Sequence, residues 1–234
     1  MDFSRVAALT AGIGISISTA HVAQAAFVMT LDDLSTAGVD VILSDGLGVG
    51  ATTGSSLVTT AADGIAPDGF ISFNGGVGSF TVNVVTGVSD PLIGPGELDL
   101  NSINVSGSDG ILEIRLTDTG YTGNVSAYSA NFGGTTTGNV DFNFLRDAGN
   151  DEFGGSSFFD PAAASGGAFS GSGGGSTGAG SGPYSLTILA QINHIGSGQI
   201  SSFDAHLVPV PIPGAVWLLG SGLLGLAGIA RRHS

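Results

Sequence analysis

The chain has 234 residues, 41 of them glycine, with no cysteine and a formal charge of −14. All but one of its 19 acidic residues lie between Ala26 and Leu207, where Arg115 and Arg146 are the only Lys or Arg side chains. Such a surface repels nucleic acid and anionic lipid, and the missing thiols exclude disulfides, thiolate catalysis and cysteine metal sites.

The N-terminus opens with Met1-Asp-Phe-Ser-Arg5 and an apolar run from Val6 to Ile17. Ala23-Gln24-Ala25 then gives the small-x-small pattern of a signal-peptidase site, which predicts a signal peptide over 1–25 cleaved after Ala25.

Residues 26–207 are long enough to bury one core. Helix signals are nearly absent there, and apolar residues alternate in short runs bounded by Gly, Asn and Asp. The runs predict strands over Phe27–Leu31, Val39–Leu43, Phe70–Phe73, Phe80–Val85, Leu98–Val105, Ile111–Leu116, Val125–Phe132, Val140–Leu145, Leu186–Ile195 and Ile200–Val208. The sharpest is Ile111-Leu-Glu-Ile-Arg-Leu116, with Leu112, Ile114 and Leu116 on one face and Glu113 and Arg115 on the other. About ten strands at this spacing predict an all-β fold, an antiparallel β-sandwich of jelly-roll type. Ser165–Gly182 is nearly all glycine and serine and reads as a flexible loop, with the last two runs forming a closing hairpin.

Chemistry is sparse. His194 and His206 fall on that hairpin and, with Asp204, would form a cluster only if the pairing set them side by side; ordinary strand positions are the plainer reading. The three glutamates, Glu97, Glu113 and Glu152, have no spacing that brings two into a glycosidase pair. Gly171-Ser-Gly173 and Gly196-Ser-Gly198 lack the strand-to-helix context of a nucleophile elbow, and Gly46-Leu-Gly-Val-Gly50 is followed by no helix. No enzyme is expected. Asp147, Asn150, Asp151 and Glu152 gather oxygen donors in one turn, the kind of set Ca²⁺ takes, although the order is not that of an EF-hand. A solvated acidic turn is the plainer reading, and no other cofactor is indicated. Tyr121 and Tyr128 flank a turn at Gly123-Asn124 and would make a small sugar platform if exposed, against core packing as the simpler role. Thr135-Thr-Thr137 is a single patch, not the repeated array that ice binding prefers.

The last segment differs in kind. Val208-Pro-Val-Pro-Ile-Pro213 leads into a stretch without ionisable groups from Pro213 to Ala230, closed by Arg231 and Arg232. As a helix, 213–230 would span about 27 Å at ~1.5 Å per residue, near the ~30 Å of a hydrocarbon core. Trp217 suits the interface, the Arg pair suits the cytoplasmic side, and Ser221, Gly225 and Gly228 share one helix face. Val210, Pro211, Ile212, Pro213 and Gly214, the apolar stretch and the arginine stop together resemble the PEP-CTERM sorting tail of Gram-negative bacteria, in its Val-Pro-Leu-Pro-Ala variant. Here no Glu lies between the prolines, and Gly214 stands in place of Ala. The resemblance covers the tail, about a ninth of the chain. It implies export across the inner membrane, processing near Val210–Gly214 by an exosortase, and residence at the cell envelope or in an exopolysaccharide matrix. The body is also similar, more loosely, to uncharacterised bodies that carry such tails. The expectation is therefore an exported, non-enzymatic structural protein of the surface or matrix, with a Ca²⁺-dependent carbohydrate-binding module as the alternative.

Overall fold

The computed structural model describes residues 26–45, 48–51, 68–178, 180 and 182–210. The predicted signal site at Ala23 and Ala25, the motif from Pro211 to Gly214, the predicted membrane helix, and Arg231 and Arg232 lie outside these residues. Among the described residues no helix is long and apolar enough to cross a membrane.

The strands are β1 (Phe27–Asp33), β2 (Val41–Ser44), β3 (Gly48–Ala51), β4 (Phe70–Val77), β5 (Phe80–Val88) and β6 (Leu98–Gly107). They continue with β7 (Gly110–Tyr121), β8 (Ala127–Asp147), β9 (Ser156–Phe159), β10 (Ala164–Ser176), β11 (Tyr184–His194) and β12 (Gln199–Pro209). Every pairing is antiparallel. The strands form one continuous 12-stranded sheet in the order β3-β2-β1-β7-β11-β8-β12-β6-β5-β4, with β9 and β10 added to β8.

The all-β antiparallel expectation holds, and its division into two separate sheets is replaced by one sheet folded on itself. The reason is β8, whose 21 residues join the two runs that the sequence reads as separate strands, Val125–Phe132 and Val140–Leu145. Its second half pairs with β11 from Ser185↔Asp147 to Asn193↔Asn139, and its first half pairs with β12 from Ser201↔Thr136 to Pro209↔Tyr128. β11 and β12 thus follow one another along the same edge of β8, and the expected closing hairpin does not form. β9 and β10 follow one another in the same way along the other edge.

The inward rows of the two halves meet in one core. Leu112, Ile114 and Leu116 are fully buried as the alternation predicts, while Glu113 and Arg115 pair on the outer face at 2.5 Å. Phe142 of β8 meets Phe203 of β12 edge-on with centroids 5.2 Å apart. Gly87 faces the opposite layer so closely that a Cβ there would lie 2.5 Å from Leu116 Cδ1 and 3.0 Å from Met29 Cε. Burial of each large apolar side chain in this cluster contributes about 1.5–3 kcal/mol.

The Gly/Ser segment is the largest departure from the sequence reading. Residues 164–176 form a 13-residue strand in near-continuous register with β8, not a flexible loop. Its glycines are what allow this. Cβ atoms at Gly171 and Gly173 would collide with the rings of Phe132 and Phe159, so both aromatics lie directly on bare backbone. Phe132, Phe142, Phe144 and Phe159, together with Phe169 of the strand itself, form a linked aromatic cluster. Order that composition alone denies to this segment comes from rings on β8 and β9.

Candidate functional site

The alternation that buries Leu112, Ile114 and Leu116 continues one step further. It sets Asp118 on the core row of β7, where the carboxyl is only 4 % exposed. Asp118 Oδ1 accepts the Thr119 N–H at 2.8 Å, and Oδ2 lies 2.5 Å from Ser89 Oγ, just beyond the end of β5. Ser89 Oγ is in turn 2.5 Å from the Tyr121 hydroxyl, which donates to the Glu97 carbonyl at 2.8 Å.

Burial lets Asp118 hold a proton up to about pH 6, and the row has a complete hydrogen-bond arrangement for that form. A protonated carboxyl donates to Ser89, Ser89 donates to Tyr121, and Tyr121 donates to Glu97, so each short contact has one hydrogen. With Asp118 ionised, Ser89 donates to the carboxylate, and the single Tyr121 hydrogen then serves either Ser89 or the Glu97 carbonyl. Burial, the dominant influence, pushes the Asp118 carboxyl up to about 6, and the nearby Asp90 charge adds to it. Tyr121, buried against the same carboxyl, is raised well above its ordinary value.

Asp118 and Tyr121 of this row border a cleft of about 150 Å³ at one end of the folded sheet. Its walls come from four places: Phe27 at the start of β1, Asp45 after β2, Asp90 and Pro95 between β5 and β6, and Thr119 to Thr122 at the end of β7. Thr119 Oγ1 accepts the Ala26 N–H, and Asp45 accepts the N–H groups of Asp68 and Gly69, so the wall residues are fixed by backbone. Among the described residues no basic side chain lines the cleft. Arg115 is held by Glu113, and Arg146 lies 4.2 Å over the Tyr184 ring. Among the described residues no three His, Asp or Glu side chains converge as a metal site, so the three cleft aspartates surround a volume without meeting at a point.

The residues singled out in the sequence are distributed elsewhere. In the acidic turn, Asp151 N–H bonds the Asp147 carboxylate at 2.8 Å, while Asn150 Oδ1 accepts the Gly120 N–H at 2.6 Å. The Asp151 carbonyl accepts the Ser185 hydroxyl, and Glu152 is exposed. These donors knit the turn to the ends of β7 and β11. His194 and His206 are not brought together. His194 is fully buried beside Ser201 at 3.0 Å and against the Phe80 ring, whereas His206 faces Glu97 at 3.8 Å. Asp204 accepts the Ser102 N–H. The tyrosines are core residues: Tyr128 donates to Tyr184 at 2.6 Å, and Tyr121 packs on Tyr184, so no aromatic platform is presented. Thr136 is buried on Ser201, while Thr135 and Thr137 border a shallow groove with Ile200. Val210, the first residue of the tail motif, follows β12 and donates its N–H to Ala127 O.

The sequence reading missed the cleft. Its one available signal was Asp118 at the next even step after Leu116, a carboxylate on a core row. Ser89 and Glu97 join it only through the fold.

No protein-family model matches the chain, and no curated protein does. Among solved structures, TmCBM61 in complex with β-1,4-galactotriose overlaps 60% of this chain and 88% of its own at 9% identity, with a TM-score of 0.32. The enzymatically active domain of tailspike protein 4 from bacteriophage CBA120 overlaps 61% of this chain but 19% of its own, at 15% identity and a TM-score of 0.31. A CBM4 structure overlaps 60% of this chain and 83% of its own at 10% identity, with a TM-score of 0.29. Overlaps this loose assign the chain neither a fold family nor a ligand.

Proposed function

We propose that the protein is an exported, non-catalytic carbohydrate-binding protein that takes one neutral sugar residue of a glycan in the Asp118 cleft. The observation behind this reading is the lining itself. Carboxylates, threonine hydroxyls and a phenol surround a small volume with no cation among its described lining residues, which suits a ligand that offers hydroxyl donors and carries no negative charge. Phe27 and Pro95 add an apolar wall for the C–H face of a sugar ring. About 150 Å³ is below the ~300 Å³ where drug-sized pockets begin, which fits one ring and not a chain. Carboxylates spread around the wall favour a polyhydroxylated ligand over Ca²⁺, so binding needs no metal. Export and anchoring rest on the terminal sequences: the predicted signal peptide, and the PEP-CTERM-like tail with exosortase as its processing partner. An exopolysaccharide is the natural ligand class for a protein so placed.

The test is a glycan array of the purified full chain in detergent, run with Ca²⁺ and with EDTA, followed by calorimetry on any hit. Binding that survives EDTA and falls at least tenfold in Asp90→Asn or Thr122→Ala supports the cleft. Binding abolished by EDTA points instead to a calcium site. No binding to any neutral glycan removes the proposal and leaves the structural surface role. Release of reducing sugar from a bound glycan would show an enzyme.

A further inference from the structure

We infer that the protein self-associates by pairing the outer edge of β10 with the same edge of a second copy. Among the described strands only β8 hydrogen-bonds to β10, so the other edge of a 13-residue strand offers its backbone N–H and C=O groups to solvent. Exposed edges are normally protected by lysine, by proline, by inward charges or by brevity. β10 has none of these, and its one irregularity, at Ser165–Gly167, lies near its start.

Electrostatics selects the occupant. The chain carries −14, so most approaches of two copies are repulsive. No Asp, Glu, Lys or Arg occurs between Asp160 and Asp204, a span that contains all of β10. None occurs between Asp118 and Asp141 either, so the neighbouring first half of β8 is also uncharged. Neutrality therefore extends two strands deep from this edge, and here two copies can meet without bringing like charges together. Ser170 and Ser172 project outward and are exposed, small enough to let a second backbone come to strand-pairing distance. Antiparallel β10–β10 pairing about a two-fold axis uses both edges and closes as a dimer. This inference is independent of the cleft, which lies at the ends of β1, β5 and β7.

The chain contains no cysteine, so single-cysteine variants report contacts cleanly. Full-length protein in detergent would be made as Ser170→Cys, Ser172→Cys and, as a control on the outward face of β5, Thr81→Cys. Mild copper-phenanthroline oxidation should give covalent dimers from at least one β10 position and none from Thr81→Cys. In sedimentation, Ser170→Asp combined with Ser172→Asp should weaken dimerisation on the order of tenfold, since like charges then face each other across the axis, with an unchanged thermal midpoint. Three results would overturn the inference: monomers at all concentrations, dimers that cross-link equally at Thr81, or dimers insensitive to the β10 aspartates and so held by the tail. Capture of an extended peptide from another protein on β10, with no homodimer, would overturn it too.

Discussion

Replacing Asp118 with asparagine tests the buried proton directly. The folded protein holds this carboxyl at about 6 against an ordinary 3.8, a gap worth about 3 kcal/mol at ~1.36 kcal/mol per pH unit, as an order of magnitude. Because the folded value is raised, the native state keeps a proton that the unfolded chain gives up. The stabilisation is complete below pH 3.8, declines through the interval, and is lost above pH 6. The amide introduced by Asp118→Asn would donate to Ser89 as the neutral acid does, and it does not titrate. Because the unfolded carboxyl is already more than half ionised at pH 4, the difference in unfolding free energy, wild type minus Asp118→Asn, should fall by about 2.4 kcal/mol between pH 4 and pH 7. For a domain of this size that is roughly 5–10 °C in relative melting temperature. Urea unfolding of both proteins at unit pH steps is the assay. Taking the difference cancels Asp32 and Asp141, which burial also raises, and Asp33, whose Ser79 and Ser35 hydrogen bonds lower it. A difference flat to within about 0.5 kcal/mol, the scale of ordinary surface changes, would refute the protonated row.

Other consequences are as concrete. Gly173→Ala puts a methyl into the Phe159 ring and should destabilise the protein by about 1–3 kcal/mol; a melting temperature equal to wild type would mean β10 does not pack as described. His194 is buried without charge compensation, and desolvation lowers its pKa, so its contribution is present above pH 6.5 and lost as pH falls below. Relative to His194→Gln, wild type should lose stability on acidification from pH 7 to pH 5, and an unchanged difference would place a counter-charge nearby. Millimolar Ca²⁺ should leave the melting temperature unchanged, because the Asn150 oxygen and the Asp151 carbonyl are already hydrogen-bonded within the fold. A rise of several degrees would show that the turn opens to take the ion.

Much of the fold was legible because strand alternation is local. Ile111–Leu116 names its own buried and exposed faces, and the predicted runs from Phe70 to Val105 fall on β4, β5 and β6. What escaped was decided by partners far along the chain. Gly133-Gly134-Thr135-Thr136-Thr137-Gly138 has the composition of a turn, yet it lies inside β8, because β10 and β12 pair with its two edges. The same local reading made 165–182 a loop, since glycine and serine carry no face to bury.

The glycines of β10 therefore have the opposite meaning from the one their count suggests. In a turn, glycine supplies freedom; under Phe132 and Phe159 it supplies flatness, and the burial belongs to the ring above it. That distinction cannot be drawn without knowing where the rings are. The cleft obeys a related logic. Asp118 could be placed on a core row from the sequence, but a carboxyl there is a fault unless something hydrogen-bonds it. Ser89, 29 residues upstream, and Tyr121 supply those bonds, and they do so at the one end of the sheet where the row reaches the cleft wall. A polar group on a buried row is thus the feature to follow outward from this sequence, because the fold retains it only where neighbours satisfy it, and here Asp118 and Tyr121 both reach a cleft.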